Sequence, residues 1–140
     1  MIHEYERQTY YYETDKMGII HHSNYIRWFE EARIDFMTKM GYPYKRLEDE
    51  GIIIPVVSVS SEYKSMVRFG DTVIIKTKIT HYDGVRLCCA YEVYDKETGA
   101  LRNIGKSEHC FLNEDGTKPI ILRRKNKEAH ETFLKSVEND

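Results

Sequence analysis

The chain has no basic surplus, no long apolar run and too few cysteines for a disulfide scaffold. Lys plus Arg number 21 against 23 Asp plus Glu, giving a formal net charge of -2 and a pI near 6.3. A dedicated nucleic-acid binder carries a marked basic excess, so that class is set aside. The uninterrupted apolar runs are a few residues long, far short of the ~20 needed to span a bilayer. The polar, mixed-charge start from Met1 to Arg7 lacks the pattern of a secretory signal. The three cysteines are Cys88, Cys89 and Cys110. An odd count with two of them adjacent suits a reducing cytosol, and the expected location is cytoplasmic. No repeat, low-complexity tract or Pro/Gly/Ser-rich linker divides the 140 residues, which predicts a single domain over 1–140.

What is present is a globular composition, 41% hydrophobic and 31% charged, with 11 tyrosines. Four of these, Tyr5, Tyr10, Tyr11 and Tyr12, fall in a stretch over 3–12 that reads as a first strand. Helical periodicity follows. From Tyr25 the apolar positions Phe29, Ala32, Phe36 and Met40, flanked by Ile26, Trp28 and Met37, recur at the helical spacing. Ser23 or Asn24 can cap this helix, and Gly41 with Pro43 ends it. So wide and aromatic a stripe predicts a helix wrapped by a sheet. A shorter helix is expected over 43–50, ended by Gly51.

Beyond Gly51 the period changes to two. Strands are expected over 52–64, 72–82, 85–95 and 100–112, with Val73, Ile75, Thr77 and Ile79 on one face and Val85, Leu87, Cys89, Tyr91 and Val93 on another. Asp83-Gly84, Thr98-Gly99 and Asp115-Gly116 supply turns. The polar stretch 124–137 reads as a short surface helix. One strand, a long buried helix and four strands joined mainly by hairpins define an α+β fold, an antiparallel sheet around a central helix. The free edges and second face of such a sheet call for a dimer.

Reactive side chains concentrate between the first strand and the helix. Asp15 sits near Gly18 in the connecting loop, and His21 and His22 immediately precede the helix. The first N–H groups of a helix lack partners and, with the dipole, favour developing negative charge. A carboxylate facing such N–H groups is what acyl transfer requires: a base or nucleophile, and a polariser for the carbonyl oxygen. Each piece also has an ordinary structural counterpart. An Asp in a glycine-containing loop serves as a turn residue, and adjacent histidines are usually solvated or bonded to backbone. No HExxH or CxxC spacing supports a metal, and His109-Cys110 and Cys88-Cys89 read as strand residues. On residue chemistry alone, acyl transfer stays open as one reading.

The segment Tyr11 to Arg33, YYETDKMGIIHHSNYIRWFEEAR, resembles the signature of hotdog-fold acyl-CoA thioesterases. It resembles in particular the 4-hydroxybenzoyl-CoA thioesterase family in its Tol–Pal-associated short-chain branch. The pattern is carried by Asp15, Gly18, Ile19-Ile20, His21-His22, Asn24-Tyr25 and Trp28-Phe29. A weaker likeness lies in Val67-Arg68-Phe69-Gly70-Asp71, where Ser65-Met66 stands in place of the family's proline. The resemblance implies a hotdog fold, assembly as a homodimer or homotetramer, and hydrolysis of acyl-CoA to free acid and CoA with no metal or other cofactor. It implies Asp15 as nucleophile or general base, the backbone N–H near His22 as carbonyl polariser, and Tyr11 as an auxiliary active-site residue. It further implies substrate contacts from Asn24, Tyr25, Val59, Ser60 and Ser61, the last three along a pantetheine channel at the dimer interface. Arg68 and the basic run Arg123, Arg124, Lys125 and Lys127 are candidates for the nucleotide phosphates. Two alternatives stand beside this reading. In one the thioester is carried by acyl carrier protein, for which the basic run would be a docking surface. In the other the chain is a non-catalytic acyl-CoA-binding subunit, against which Asp15 speaks. A hotdog dehydratase would arrange its His and acid differently.

Overall fold

The computed structural model describes residues 1–137. Strand β1 (Ile2–Gln8) leads through a 3-10 turn (Tyr11–Glu13) and a loop into helix α1 (Ser23–Lys39). A short helix α2 (Tyr44–Asp49) and strands β2 (Ile52–Ile53) and β3 (Val56–Tyr63) follow. Then come β4 (Thr72–Tyr82), β5 (Arg86–Asp95), β6 (Leu101–Cys110), β7 (Leu112–Asn113), α3 (Leu122–Lys125) and α4 (Lys127–Ser136). The main sheet is antiparallel with strand order β1-β4-β5-β6-β3. β4, β5 and β6 are successive hairpin partners, whereas β3 crosses over to pair with β6 at the far edge.

The expected α+β architecture is present because two periodicities meet. Along β4 and β5, Val73, Ile75, Thr77 and Ile79, and Leu87, Cys89, Tyr91 and Val93, are buried on one face. Along α1, Tyr25, Trp28, Phe29, Ala32, Phe36 and Met37 are buried against them, the spacing of one helical face. The helix sits close to the sheet at one point: the Phe29 ring stacks on Tyr91 at 4.5 Å, and Gly105, opposite Tyr91, lies beneath it. A Cβ at Gly105 would overlap the Phe29 ring, so glycine is needed there for close approach.

Several boundaries differ from the sequence expectation, each for a local reason. β1 ends at Gln8 rather than running through Tyr12, because Glu13 turns inward and accepts a 2.8 Å bond from the Tyr10 N–H, drawing 11–13 into a 3-10 turn. The strand expected over 52–64 is split at Pro55, which lacks a ladder donor. Val85 precedes β5 and is exposed, since Asp83 Oδ1 accepts from both the Val85 and Arg86 N–H groups in a turn. Neither Ser23 nor Asn24 caps α1; the N-cap is His22. The C-terminal helix is two helices, with the Asn126 side chain capping α4 through Ala129 N–H at 3.0 Å. It is also not merely superficial, because Phe133 is fully buried between Tyr82 and Phe111.

Replacing Gly105 by Ala is expected to cost about 1–3 kcal/mol through overpacking against Phe29. Urea denaturation of the two proteins checks this; coincident midpoints would contradict the close approach.

Candidate active site

The site is organised by a buried carboxylate. Glu13 is only 3% exposed, yet its side chain is fully engaged. Oε1 accepts from Arg7 Nη1 at 2.7 Å and from the Tyr10 N–H at 2.8 Å, and Oε2 accepts from the Trp28 indole at 2.9 Å. Its backbone carbonyl accepts from the His21 N–H and the Asn24 amide, both at 2.9 Å. One residue thus joins the end of β1, the far end of the loop and the first turns of α1. Burial alone would raise the Glu13 pKa; the bonds from Arg7, Trp28 and Tyr10 together outweigh it and hold the carboxyl below its ordinary value.

Between these anchors the loop closes on itself. The Asp15 N–H donates to the Ile19 carbonyl at 2.9 Å, and the Gly18 N–H to the Asp15 carbonyl at 3.2 Å. Gly18 has φ +69, a conformation L side chains rarely adopt. Two further bonds, Ile20 N–H to Val67 O and Phe69 N–H to Gly18 O, both at 2.9 Å, moor the loop to the segment before β4. Asp15 therefore stands exposed at a braced tip. Its Oδ1 accepts from the Met17 N–H at 3.0 Å, and among the described residues Oδ2 has no partner.

At the start of α1 the donors are unequally satisfied. The Ser23 N–H reaches His21 Nδ1 at 3.3 Å, Asn24 N–H the His21 carbonyl at 3.1 Å, and Tyr25 N–H the His22 carbonyl at 3.4 Å. The His22 N–H meets no acceptor among the described residues. Asp15 and His22 line one cleft of about 350 Å³, together with Ile19, Tyr25, Tyr63 and Lys64. Tyr63, the last residue of β3, donates its hydroxyl to the His22 carbonyl at 3.2 Å and meets the Tyr25 ring edge-on at 5.2 Å. Burial pushes the Tyr25 phenol up to about 12, so it stays a neutral group near neutrality. A larger hollow of about 540 Å³ between β1 and α1 is lined by Glu30, Glu31 and Asp35. There Glu31 is already taken by Arg7 and Tyr5, and no free helix-terminal N–H lines it. The pairing of a carboxylate with a free N–H, not size, distinguishes the Asp15 cleft.

Of the residues expected at the site, Asp15, His22 and Tyr25 come together in this cleft. Asn24 is buried, and its amide donates to the Glu13 and His21 carbonyls, so it ties the loop to the helix. Tyr11 is 74% exposed and packs edge-on against Phe69, outside the cleft lining. On β3, Val59 and Ser61 pair with Ser107 and Gly105 and share the α1 side of the sheet, while Ser60 pairs with Lys106 on the other face. Arg68 is exposed beside the loop, its backbone bridged to Ile19. Arg123, Arg124 and Lys125 are exposed on α3, and the last two line a separate hollow. His109 is buried facing α1, where burial pushes its imidazole down to about 4. Sequence reasoning missed Glu13, Tyr63 and Lys64. The usable signal for Glu13 was the lone Trp28 in a core stripe, whose indole N–H requires an acceptor.

With this geometry in place, comparison with known proteins is informative. Residues 11–133 match the model of the thioesterase-like superfamily. A putative acyl-CoA thioesterase of Bacillus subtilis, YneP, is 31% identical over 94% of this chain and 94% of its own length. The crystal structure of a DHNA-CoA thioesterase from Staphylococcus aureus superposes with a TM-score of 0.91 at 38% identity, over 96% of this chain and 89% of that one. An acyl-CoA thioester hydrolase of Escherichia coli, YbgC, is 27% identical over 67% of this chain and 70% of its own. The chain therefore belongs to the thioesterase-like superfamily, a family of thioester hydrolases, and has its hotdog fold.

Replacing Glu13 by Gln breaks a buried, hydrogen-bonded ion pair and is expected to cost about 3–5 kcal/mol. Because the folded-state carboxyl is held low, its contribution is present above the ordinary carboxylate range and is lost as the pH falls below it. Urea midpoints of wild type should therefore drop on acidification, and those of Glu13→Gln should drop less; parallel profiles would remove Glu13 from this role.

Proposed function

We propose that this thioester hydrolase acts on CoA thioesters of aromatic acids in the Asp15 cleft. The reading is carried by one observation: Asp15, whose carboxylate has a free oxygen, and His22, whose N–H meets no acceptor among the described residues, line the same cleft. The His22 N–H donates to the thioester carbonyl oxygen, where the dipole of α1 stabilises the charge developing there. Asp15 Oδ2 takes a proton from water as the water oxygen adds to the carbonyl carbon, or adds to that carbon itself. In the first case the C–S bond then breaks and the departing CoA sulfur gains that proton from Asp15. In the second the C–S bond breaks to leave a mixed anhydride on Asp15 and a CoA thiolate; water then opens the anhydride, regenerating the Asp15 carboxylate and supplying the proton that the sulfur gains. The net reaction consumes one water and yields the acid and CoA. The aromatic preference is supported by the Tyr25 and Tyr63 rings in the cleft and by the Staphylococcus relative, named for a DHNA-CoA substrate. Arg68, exposed beside the loop, is our candidate for the nucleotide phosphates.

The working unit we propose is a dimer, alone or paired into a tetramer. β3 is a free edge of eight residues with Val56, Val57 and Val59 exposed at 50%, 62% and 38%, and such an edge invites a second copy. Among the described residues the three cysteines are free, in keeping with a cytoplasmic setting. A carrier-protein thioester is the second reading. It is favoured by Arg123, Arg124 and Lys125, which make no ion pair among the described residues.

Thiol release should be measured over short, long and aromatic acyl-CoAs and the same acyl groups on carrier protein, with wild type beside Asp15→Asn. Wild type is expected to favour aromatic CoA thioesters. The variant should keep its fold and lose at least about a hundredfold in turnover. Near-normal turnover in Asp15→Asn would remove Asp15 from the chemistry, and release only from carrier protein would select the second reading.

A further inference from the structure

The His22 N–H belongs to the peptide that joins His21 to His22. Among the described residues no peptide is cis, and in a planar trans peptide the C=O and N–H point in opposite directions. Whatever fixes the His21 carbonyl therefore fixes the line of the His22 N–H. That carbonyl points along α1, where it accepts from the Asn24 N–H at 3.1 Å and from Asn24 Nδ2 at 3.2 Å. The N–H on the other side of the plane is thus directed away from the body of the helix, at a residue that lines the Asp15 cleft.

Asn24 is buried and stands outside the cleft lining. Its amide nitrogen donates both hydrogens inside the protein, to the Glu13 carbonyl at 2.9 Å and to the His21 carbonyl. Two carbonyls on one side can be met only by the NH2 end of an amide, which sets its orientation. Glu13 is held in turn by Arg7 and Trp28, so Asn24 carries the position of that brace to the His21–His22 peptide. One peptide further on, the Tyr63 hydroxyl donates to the His22 carbonyl at 3.2 Å. His22 therefore has a secured carbonyl before and after it, while its own N–H is unbonded among the described residues. A carbonyl with one partner can pivot about that bond. A second donor from another direction stops the pivot.

We propose that Asn24 is a positioning residue for thioester hydrolysis: without touching substrate, it clamps the His21 carbonyl and so aims the His22 N–H at the oxygen on which charge develops. This role presupposes the thioesterase reading above and adds what holds its hydrogen-bond donor in line before substrate arrives. A donor already in line needs no reorganisation as the charge appears, which is the source of its effect on rate. Side chains of similar size do not supply the clamp. Aspartate turns an anion on two carbonyls, leucine offers no hydrogen, and serine has one hydrogen for two acceptors.

Asn24→Ala is expected to fold, because the Glu13 carbonyl keeps the His21 N–H and the His21 carbonyl keeps the backbone N–H of residue 24. On the thioester that the panel above finds best, its kcat should fall by about tenfold to a hundredfold, less than the loss of a whole oxyanion donor, while KM changes little. A smaller active fraction would lower kcat in the same way, so the carbonyl is also read directly. The same thioester, labelled with 13C at its carbonyl, is bound to Asp15→Asn and to Asp15→Asn/Asn24→Ala, in which hydrolysis is slow. The infrared band of the labelled carbonyl should lie at higher wavenumber in the double variant, since a misaligned N–H polarises the bond less. Where Asn24→Ala fails to fold, as judged by near-UV circular dichroism, Asn24→Ser carries both measurements with the same expected directions. An unchanged kcat overturns the proposal, and so does a fall in kcat with the band unmoved; both leave the thioesterase reading standing. A wild type that releases thiol from no member of the panel overturns that reading, and the proposal with it.

Discussion

The rest of the site depends on the buried bond set of Glu13. Its two carboxylate oxygens and its carbonyl collect Arg7 from β1, Trp28 and Asn24 from α1, and His21 from the loop. A charge so deeply buried is tolerable only when its acceptors are filled, and here they are filled by the three segments whose relative placement sets the cleft. Arg7 completes the cluster. It also binds Glu31 at 2.6 Å and lies over the Tyr10 and Trp28 rings at 5.1 and 5.2 Å, so the strand, the turn and the helix share one cation. Asp15 itself takes no part. Its carboxylate projects from the brace into the open, where among the described residues only the Met17 N–H donates to it, so its second oxygen is free.

A second constraint is the edge. The crossover that carries the chain from β3 back to β4 places β3 at the end of the sheet, with no neighbour on one side among the described residues. The Asp15 cleft sits at one of its ends, beside Tyr63. Unpaired strand groups and exposed valines along β3 are features that a second copy would resolve together.

Much of this was legible in the residues, and the reasons are local. The 3.6-residue recurrence of Tyr25, Trp28, Phe29, Ala32 and Phe36 follows from the geometry of one helical face. The alternation of Val73, Ile75, Thr77 and Ile79 is the period of a pleated strand half covered by a core. Asp15 and His22 were readable because a motif compresses both into eight residues that the structure brings to one cleft. What was not legible rests on long-range contact. Glu13 looked like one more charge in the segment between the expected strand and the helix until Arg7 and Trp28 met it. Asn24, expected against substrate, faces the Glu13 carbonyl instead, and Tyr11 points outward to Phe69. The polar 124–137 stretch concealed Phe133, whose burial depends on Tyr82 and Phe111 from distant strands.

The sequence by itself determined the element types, the central helix with its aromatic stripe and the loop that bears Asp15 and His22. Each of these is a property of neighbours along the chain, whose spacing and turn chemistry act over a few residues. Tertiary structure alone decided that a carboxylate two residues before Asp15 would be buried as the brace while Asp15 stays exposed, because the partners of Glu13 lie six and fifteen residues away. It alone decided that Gly105 would be the point of closest approach beneath Phe29, and that β3 would end as an open edge with the Asp15 cleft at one end. Those outcomes depend on which strands pair and which way the chain crosses. Energies of that kind are summed over many distant contacts and leave no periodic mark on the residues that make them.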